Sequence, residues 1–223
     1  MRLTFLGTGT SIGVPAIGCQ CEVCRSSDPL DKRLRASALL ETRGGLRVLI
    51  DCGPDFRQQI LSHFGKLDAV LLTHIHYDHV AGIDDLRPFC LFGDVDIYAQ
   101  NDVVEGLHHT MPYCFKEHLY PGVPHLRLHT VEPHKAIHVC REKSIIAQFP
   151  ASGSNLEGVI NRQPTIVEVK PSTDEIDIIP IRVMHGQLPI LGYRVGTFAY
   201  ITDMKSIDDA EISYLEGVET LGV

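Results

Sequence analysis

No apolar stretch in this chain approaches the roughly 20 residues that a membrane-spanning helix requires; runs such as Ala69 to Leu72 end after a few residues. The N-terminus, Met-Arg-Leu-Thr-Phe-Leu-Gly, lacks the long apolar core and small-residue cleavage site of a secretory leader, and reads as a strand running into a glycine turn. A cytoplasmic protein with no membrane association is therefore expected. Positive charge is also in short supply, with 20 Lys and Arg against 28 Asp and Glu and a formal net charge of −8. Such a balance offers no overall basic footprint for a polyphosphate backbone, so no large nucleic acid is expected as a partner. A small phosphate ester stays within reach, since metal ions or a few arginines can hold one locally. Internal repeats and low-complexity tracts are absent as well. What remains is ordinary globular material: 223 residues, 44% hydrophobic and 22% charged, enough for one domain with a sizeable core.

Two residue types are abundant instead, with 12 His and 7 Cys, and together they point toward metal. Along the chain, Arg2 to Leu6 reads as a strand, and Gly7 to Pro15 as a loop rich in turn-formers. Ala38 to Thr42 and Leu46 to Ile50, split by Gly44-Gly45, read as a hairpin. Asp55 to Phe64 carries Phe56, Ile60, Leu61 and Phe64 on one helical face, and Gly65 closes it. Asp68 to Thr73, Asp96 to Ala99 and Ile176 to Met184 read as strands, and Gly192 to Asp203 as two more broken at Gly196. Residues 139–164, where Gly, Ser, Asn and Pro cluster without periodicity, read as an inserted surface loop within a single 1–223 domain.

The strongest chemistry lies at Thr73-His74-Ile75-His76-Tyr77-Asp78-His79, where a buried strand ends and a loop opens. His74 and His76 are two apart and can approach one cation; Asp78 and His79 turn toward a second point nearby. Four imidazole or carboxylate groups in six residues are costly to bury without a cation, because each would otherwise go unsatisfied.

This run, His74-x-His76-x-Asp78-His79, resembles the signature of the metallo-β-lactamase superfamily. Three further motifs fall in the family's order. Asp51-Cys52-Gly53 looks like the turn whose Asp supports the metal loop, His185 like a third metal-ligand motif, and Asp203 like a carboxylate bridging two metals. Gly7 to Pro15, Cys19-x-Cys21-x-x-Cys24 and Gly82 to Phe89 narrow the likeness to the phosphoribosyl cyclic phosphodiesterase family. Ribonuclease Z is more distant: it lacks the cysteine cluster and carries a tRNA-gripping arm that has no counterpart here.

The resemblance implies an α/β fold, a four-layer αβ/βα sandwich. It implies two divalent metal ions, zinc or manganese, one held by His74, His76 and His185 and the other by Asp78, His79 and Asp203, with Asp203 shared. A metal-bridging hydroxide would open a cyclic phosphate of ribose or a nucleotide, with Asp78 orienting the water or relaying its proton. A small phosphodiester is the implied substrate. A carboxylic-ester or lactone hydrolase of the same fold is the alternative, because fold does not fix substrate; a metal-binding fragment without turnover is another.

Cys19, Cys21 and Cys24, three thiols in six residues of an expected cytoplasmic protein, suggest a structural zinc more than disulfides. Such a site needs a fourth ligand. The family supplies a C-terminal histidine, whereas here no His follows His185. The chain is thus expected to be truncated, lacking the C-terminal strand and helix, with the exposed sheet prone to association as a homodimer. Cys52, Cys90, Cys114 and Cys140 read as core or loop residues. The histidines at 108, 109, 118, 125, 129, 134 and 138 lack a recurring ligand spacing and read as a solvated region flanking the site. Arg87 reads as a structural ion pair beneath the metal loop.

Overall fold

The computed structural model describes residues 1–120, 122–141, 144–148, 165–169 and 174–222. Six strands build a first sheet in sequence order: β1 (Arg2–Gly7), β2 (Ser37–Glu41), β3 (Arg47–Ile50), β4 (Ala69–Leu71), β5 (Val95–Ala99) and β6 (Leu126–Thr130). β1, β2 and β3 pair antiparallel, and β3 through β6 pair parallel. The second sheet runs in the order β13 (Thr220–Gly222), β12 (Phe198–Tyr200), β11 (Leu188–Val195), β10 (Asp174–His185) and β7 (Ile137–Arg141). A separate ribbon pairs β8 (Ser144–Gln148) with β9 (Thr165–Val169).

The period of two along the strands sorts their side chains between two cores. Ala38, Leu40, Val48, Ile50 and Leu71 face Ile137, Val139, Ile178, Leu191 and Tyr193 across the gap between the sheets. Their alternates Leu39, Leu49, Val70 and Leu72 point outward, onto α2 (Phe56–Ile60), α3 (Tyr77–Val80), the 3-10 segment Ile83–Phe92 and α4 (Asn101–Thr110) through Phe56, Val80, Leu86 and Val103. On the far face of the second sheet, Ile181, Val183, Ile190 and Ile201 collect Met204, Ile207, Tyr214 and Leu215, around α5 (Asp209–Ile212). Helix, sheet, sheet and helix form four layers, as the resemblance implied.

Four expectations need correction. The helix read over Asp55 to Phe64 is shorter: α2 ends at Ile60 and a 3-10 turn covers Leu61–His63. Asp55 does not cap it, because its carboxylate instead accepts from the Arg35 backbone N–H (2.8 Å) and pairs with the Arg35 guanidinium (2.7 Å). The loop read over 139–164 begins inside a strand. Val139 to Arg141 belong to β7, whose Ile137, Val139 and Arg141 turn inward and which pairs with β10, and 144–148 form β8. The turn-formers that suggested the loop fall at 149–164, outside the described residues. Arg87 pairs with Asp84 as expected, but on the surface, with both side chains more than 40% exposed, and not beneath the metal loop. β10 also runs further than expected and passes through Pro180, which is tolerated because pairing with β7 has already ended at Ile178. Among the described residues no helix is long and apolar enough to cross a membrane.

Candidate metal centre

Strand ends on both sheets deliver the polar residues to one place. Asp51 follows β3, Thr73 and His74 follow β4, His76 precedes α3, which carries Asp78 and His79, His185 ends β10, and Asp203 lies beyond β12. Two bonds fasten the loops across the sheets: Leu191 N–H donates to the Thr73 carbonyl (3.0 Å), and the Tyr193 hydroxyl donates to the Leu72 carbonyl (2.6 Å).

The buried Asp51 organises the loop. Its carboxylate accepts from the Thr73 backbone N–H (2.9 Å), the Thr73 hydroxyl (3.0 and 3.1 Å) and His79 Nδ1 (2.7 Å). A ring that donates through Nδ1 presents Nε2 as a lone pair, and that atom of His79 lies 3.3 Å from Asp78 Oδ2 and 3.4 Å from Asp203 Oδ2. His185 is held by the same device, its Nδ1 donating to the Asp203 carbonyl at 2.7 Å. Thr202 completes the pattern by donating to Asp203 Oδ1 (3.1 Å), so that Oδ2 is the oxygen turned toward His74 Nε2 at 3.8 Å and toward His79. His74 Nε2 and His76 Nδ1 approach to 3.0 Å, and the His185 ring centre lies 5.7 Å from that of His74 and 5.4 Å from that of His76. All six residues read as ligands therefore border one small volume.

Backbone conformation at the site is unusual. Asp51 and Asp203 both adopt the left-handed region, with φ of 61° and 58°. Few non-glycine residues do so, and where they do the surrounding contacts must hold them. Thr73 is the residue that sequence reading left without a role; it bridges Asp51 to His74 Nδ1 at 2.9 Å. Its place immediately before the histidine run was the one available signal.

Electrostatics prepare the same volume for a cation. Burial, reinforced by the neighbouring His79, pulls His74 down to about 4, which keeps it a neutral ligand at pH 7. Burial also opposes charge on His79, but the carboxylates of Asp51 and Asp203 outweigh it and lift that ring to about 10. The hydrogen bond from His79, against burial, holds Asp203 down at about 2. His74, His79 and Asp203 place ligand atoms within 4.8 Å of one another. An all nitrogen and oxygen donor set of this kind, with orienting bonds behind the rings, fits a divalent cation such as zinc or manganese.

The thiols of Cys19, Cys21 and Cys24 also gather within 4.8 Å, and among the described residues no fourth His, Cys, Asp or Glu joins that group. They sit on an exposed loop around α1 (Glu22–Arg25), where Cys24 Sγ accepts from Ala16 N–H and Cys21 Sγ from Cys24 N–H, each at 3.4 Å. Cys52 and Cys114 are buried, Cys90 is half-buried and Cys140 is exposed on β7. Of the downstream histidines, four pair with carboxylates: His125 with Asp94, His129 with Asp96, His134 with Glu211 and His138 with Asp177. His108 packs on the Phe115 ring, and His109 Nδ1 donates to the Glu105 carbonyl.

Comparison with known proteins returns the same fold. Residues 46–223 match the family described as beta-lactamase superfamily domain. A diphosphatase from the PhnP family superposes with a TM-score of 0.73 at 37% identity, covering 98% of this chain and 72% of that one. Zn2+-bound PqqB from Methylobacterium extorquens, 19% identical, superposes with a TM-score of 0.65 over 99% of this chain and 69% of that one, a likeness of fold. Among curated proteins, an octanoyltransferase of Porphyromonas gingivalis is 41% identical over 99% of this chain, which spans only 38% of that protein's length.

Proposed function

This chain belongs to the β-lactamase superfamily and, within it, to the PhnP family; from that premise we propose that it is a dinuclear metal-dependent phosphodiesterase opening a cyclic phosphate of ribose or a nucleotide. The observation that carries the reading is the convergence of His74, His76, His79, His185, Asp78 and Asp203 on one volume, with Asp51 and the Asp203 carbonyl turning two of the rings toward it. In this reading His74, His76 and His185 would hold one ion and Asp78 and His79 a second, with Asp203 shared between them. The ions, when bound, supply Lewis acidity at phosphorus and a water that ionises near neutral pH.

The chain's own residues do the rest. Asp51 fixes the His79 tautomer, and Thr73 ties that carboxylate to His74. Asp78, with Oδ2 turned into the centre, orients the attacking water and takes up its proton. The net charge of −8 argues for a small substrate held by metal over a long polyanion. We assign Cys19, Cys21 and Cys24 to a structural zinc, whose three thiolates suit that ion.

The octanoyltransferase name favours acyl chemistry as a second reading. This chain, however, spans 38% of that protein, so the transferase activity can reside in the part it does not match. A substrate panel separates the two. The metal-loaded chain is offered a 2′,3′-cyclic nucleotide, a ribose 1,2-cyclic phosphate, a lactone and an octanoyl ester. Preferential opening of either cyclic phosphate is expected; hydrolysis of the lactone or the ester alone overturns the reading.

A further inference from the structure

Against α3, the helix that carries Asp78 and His79, lies a mainly apolar recess that the phosphodiester chemistry leaves unused. Tyr77 opens α3 between His76 and Asp78, and its side chain is 70% exposed. Helix α4 is drawn down onto the same loop at Gly106, where a Cβ would lie 2.7 Å from Ile75 Cδ1. Between α3, α4 and the 3-10 turn Pro112–Cys114 remains a cavity of about 130 Å³, walled by Tyr77, Val80, Ala81, Leu107, Met111 and Tyr113, with Asp84 and Thr110 as its polar lining. A dry apolar cavity of about 150 Å³ admits benzene, so this recess has room for one six-membered ring.

The far wall is fixed in place. The Tyr113 hydroxyl donates to Asp84 Oδ1 at 2.9 Å, and Asp84 is held in turn by Arg87. Burial and the Asp84 carboxylate push the Tyr113 hydroxyl up to about 12, so it remains a donor at neutral pH. The near wall belongs to α3, on which Tyr77 precedes Asp78 and His79. Tyr77 and two residues of the His/Asp cluster share the four-residue helix α3, so a base on that ring and a phosphate at the cluster can belong to one nucleotide.

We propose that this recess is a base subsite and that Tyr77 is the platform on which the nucleobase of a nucleotide substrate stacks. The proposal rests on the phosphodiesterase reading and makes it narrower: among cyclic phosphates, those carrying a base are preferred. Stacking of a base on an aromatic side chain is worth roughly a five- to hundredfold change in affinity.

The test compares uridine 2′,3′-cyclic phosphate with the methyl riboside 2,3-cyclic phosphate, which carries no base, on the metal-loaded chain. The wild type should prefer the uridine compound in kcat/KM, mainly through KM. The ratio should fall about five- to hundredfold in Tyr77→Ala and persist in Tyr77→Phe, which keeps the ring. Filling the recess from the residue that follows α3, with Ala81→Leu, should lower it too. No base preference in the wild type, or a ratio unchanged in Tyr77→Ala, overturns the proposal. Should neither compound be opened, the phosphodiesterase reading has failed on its own. Calorimetric binding of uridine 3′-phosphate against ribose 3-phosphate then decides the subsite: tighter uridine binding that is lost in Tyr77→Ala sustains it, and equal binding refutes it.

Discussion

At the scale of single residues, the account turns on groups behind the ligands as much as on the ligands. Asp51 accepts from His79 Nδ1 and from Thr73 while wholly buried. Replacing Asp51 with Asn keeps the volume but removes the charge that fixes the ring. Metal affinity, measured by competition with a chelator, should fall by about 10- to 100-fold, as it does when such orienting partners are lost. A second residue reports on pH. Burial disfavours charge at Asp96, yet hydrogen bonds from Arg127 (2.8 and 2.7 Å) and His129 (2.7 Å) outweigh it and hold its carboxyl below the ordinary value. A depressed carboxyl contributes its stability in full above the unfolded value near 3.9, and loses it as pH falls through the folded value. The wild type should therefore unfold at higher temperature than Asp96→Asn at pH 7, with the gap closing below about pH 4. A gap that persists undiminished at pH 3 contradicts this pairing. The cluster itself was legible in the sequence because His74, His76, Asp78 and His79, the residues proposed as ligands, are packed into six positions. The carboxylate partners of His125, His129, His134 and His138 were not, since they come from the residue before β5, from other strands or from α5, up to 77 positions away.

At the scale of elements, α3 is held to the turn after β3 by backbone contacts that leave no room for a side chain. Cys52 N–H donates to the His79 carbonyl and Gly82 N–H to the Cys52 carbonyl, both at 2.8 Å. A Cβ on Gly82 would lie 2.0 Å from the Gly53 carbonyl oxygen, so the helix carrying Asp78 and His79 must move to admit one. Gly82→Ala should cost about 1–3 kcal/mol in urea unfolding, the usual penalty of overpacking, and weaken metal binding with it. Wild-type stability and metal affinity in that variant would show the contact to be slack. Elements announced by apolar runs on either side of a glycine turn, such as β2 and β3, were readable from the sequence; the runs are continuous because each face of these strands meets a different core. β7 was hidden, although its Ile137, Val139 and Arg141 alternate, because the polar tract after it dilutes the pattern. α2 was overextended because Leu61 and Phe64 continue the apolar helical spacing, whereas the chain past Ile60 tightens into a 3-10 turn.

At the scale of the whole molecule, two sheets with helices outside them bring loops from both halves of the chain to one edge, and neither half alone carries the centre. Asp51 to His79 come from the first sheet, and His185 and Asp203 from the second, joined through Leu191, Tyr193 and Thr73. The layers and the order of the motifs were legible from four short runs of sequence; the convergence of those runs depends on packing between sheets, which no local pattern encodes. The most direct test is a titration of the chelator-stripped chain with zinc or manganese, following bound metal and opening of a 2′,3′-cyclic nucleotide together. Turnover should be absent without metal and should rise as two equivalents beyond any held by the cysteines are bound. In His76→Ala, whose ligand is lost from an exposed position, the fold should persist while metal at the centre and turnover are both lost. Turnover by the stripped chain, or wild-type rates in His76→Ala, would contradict the assignment.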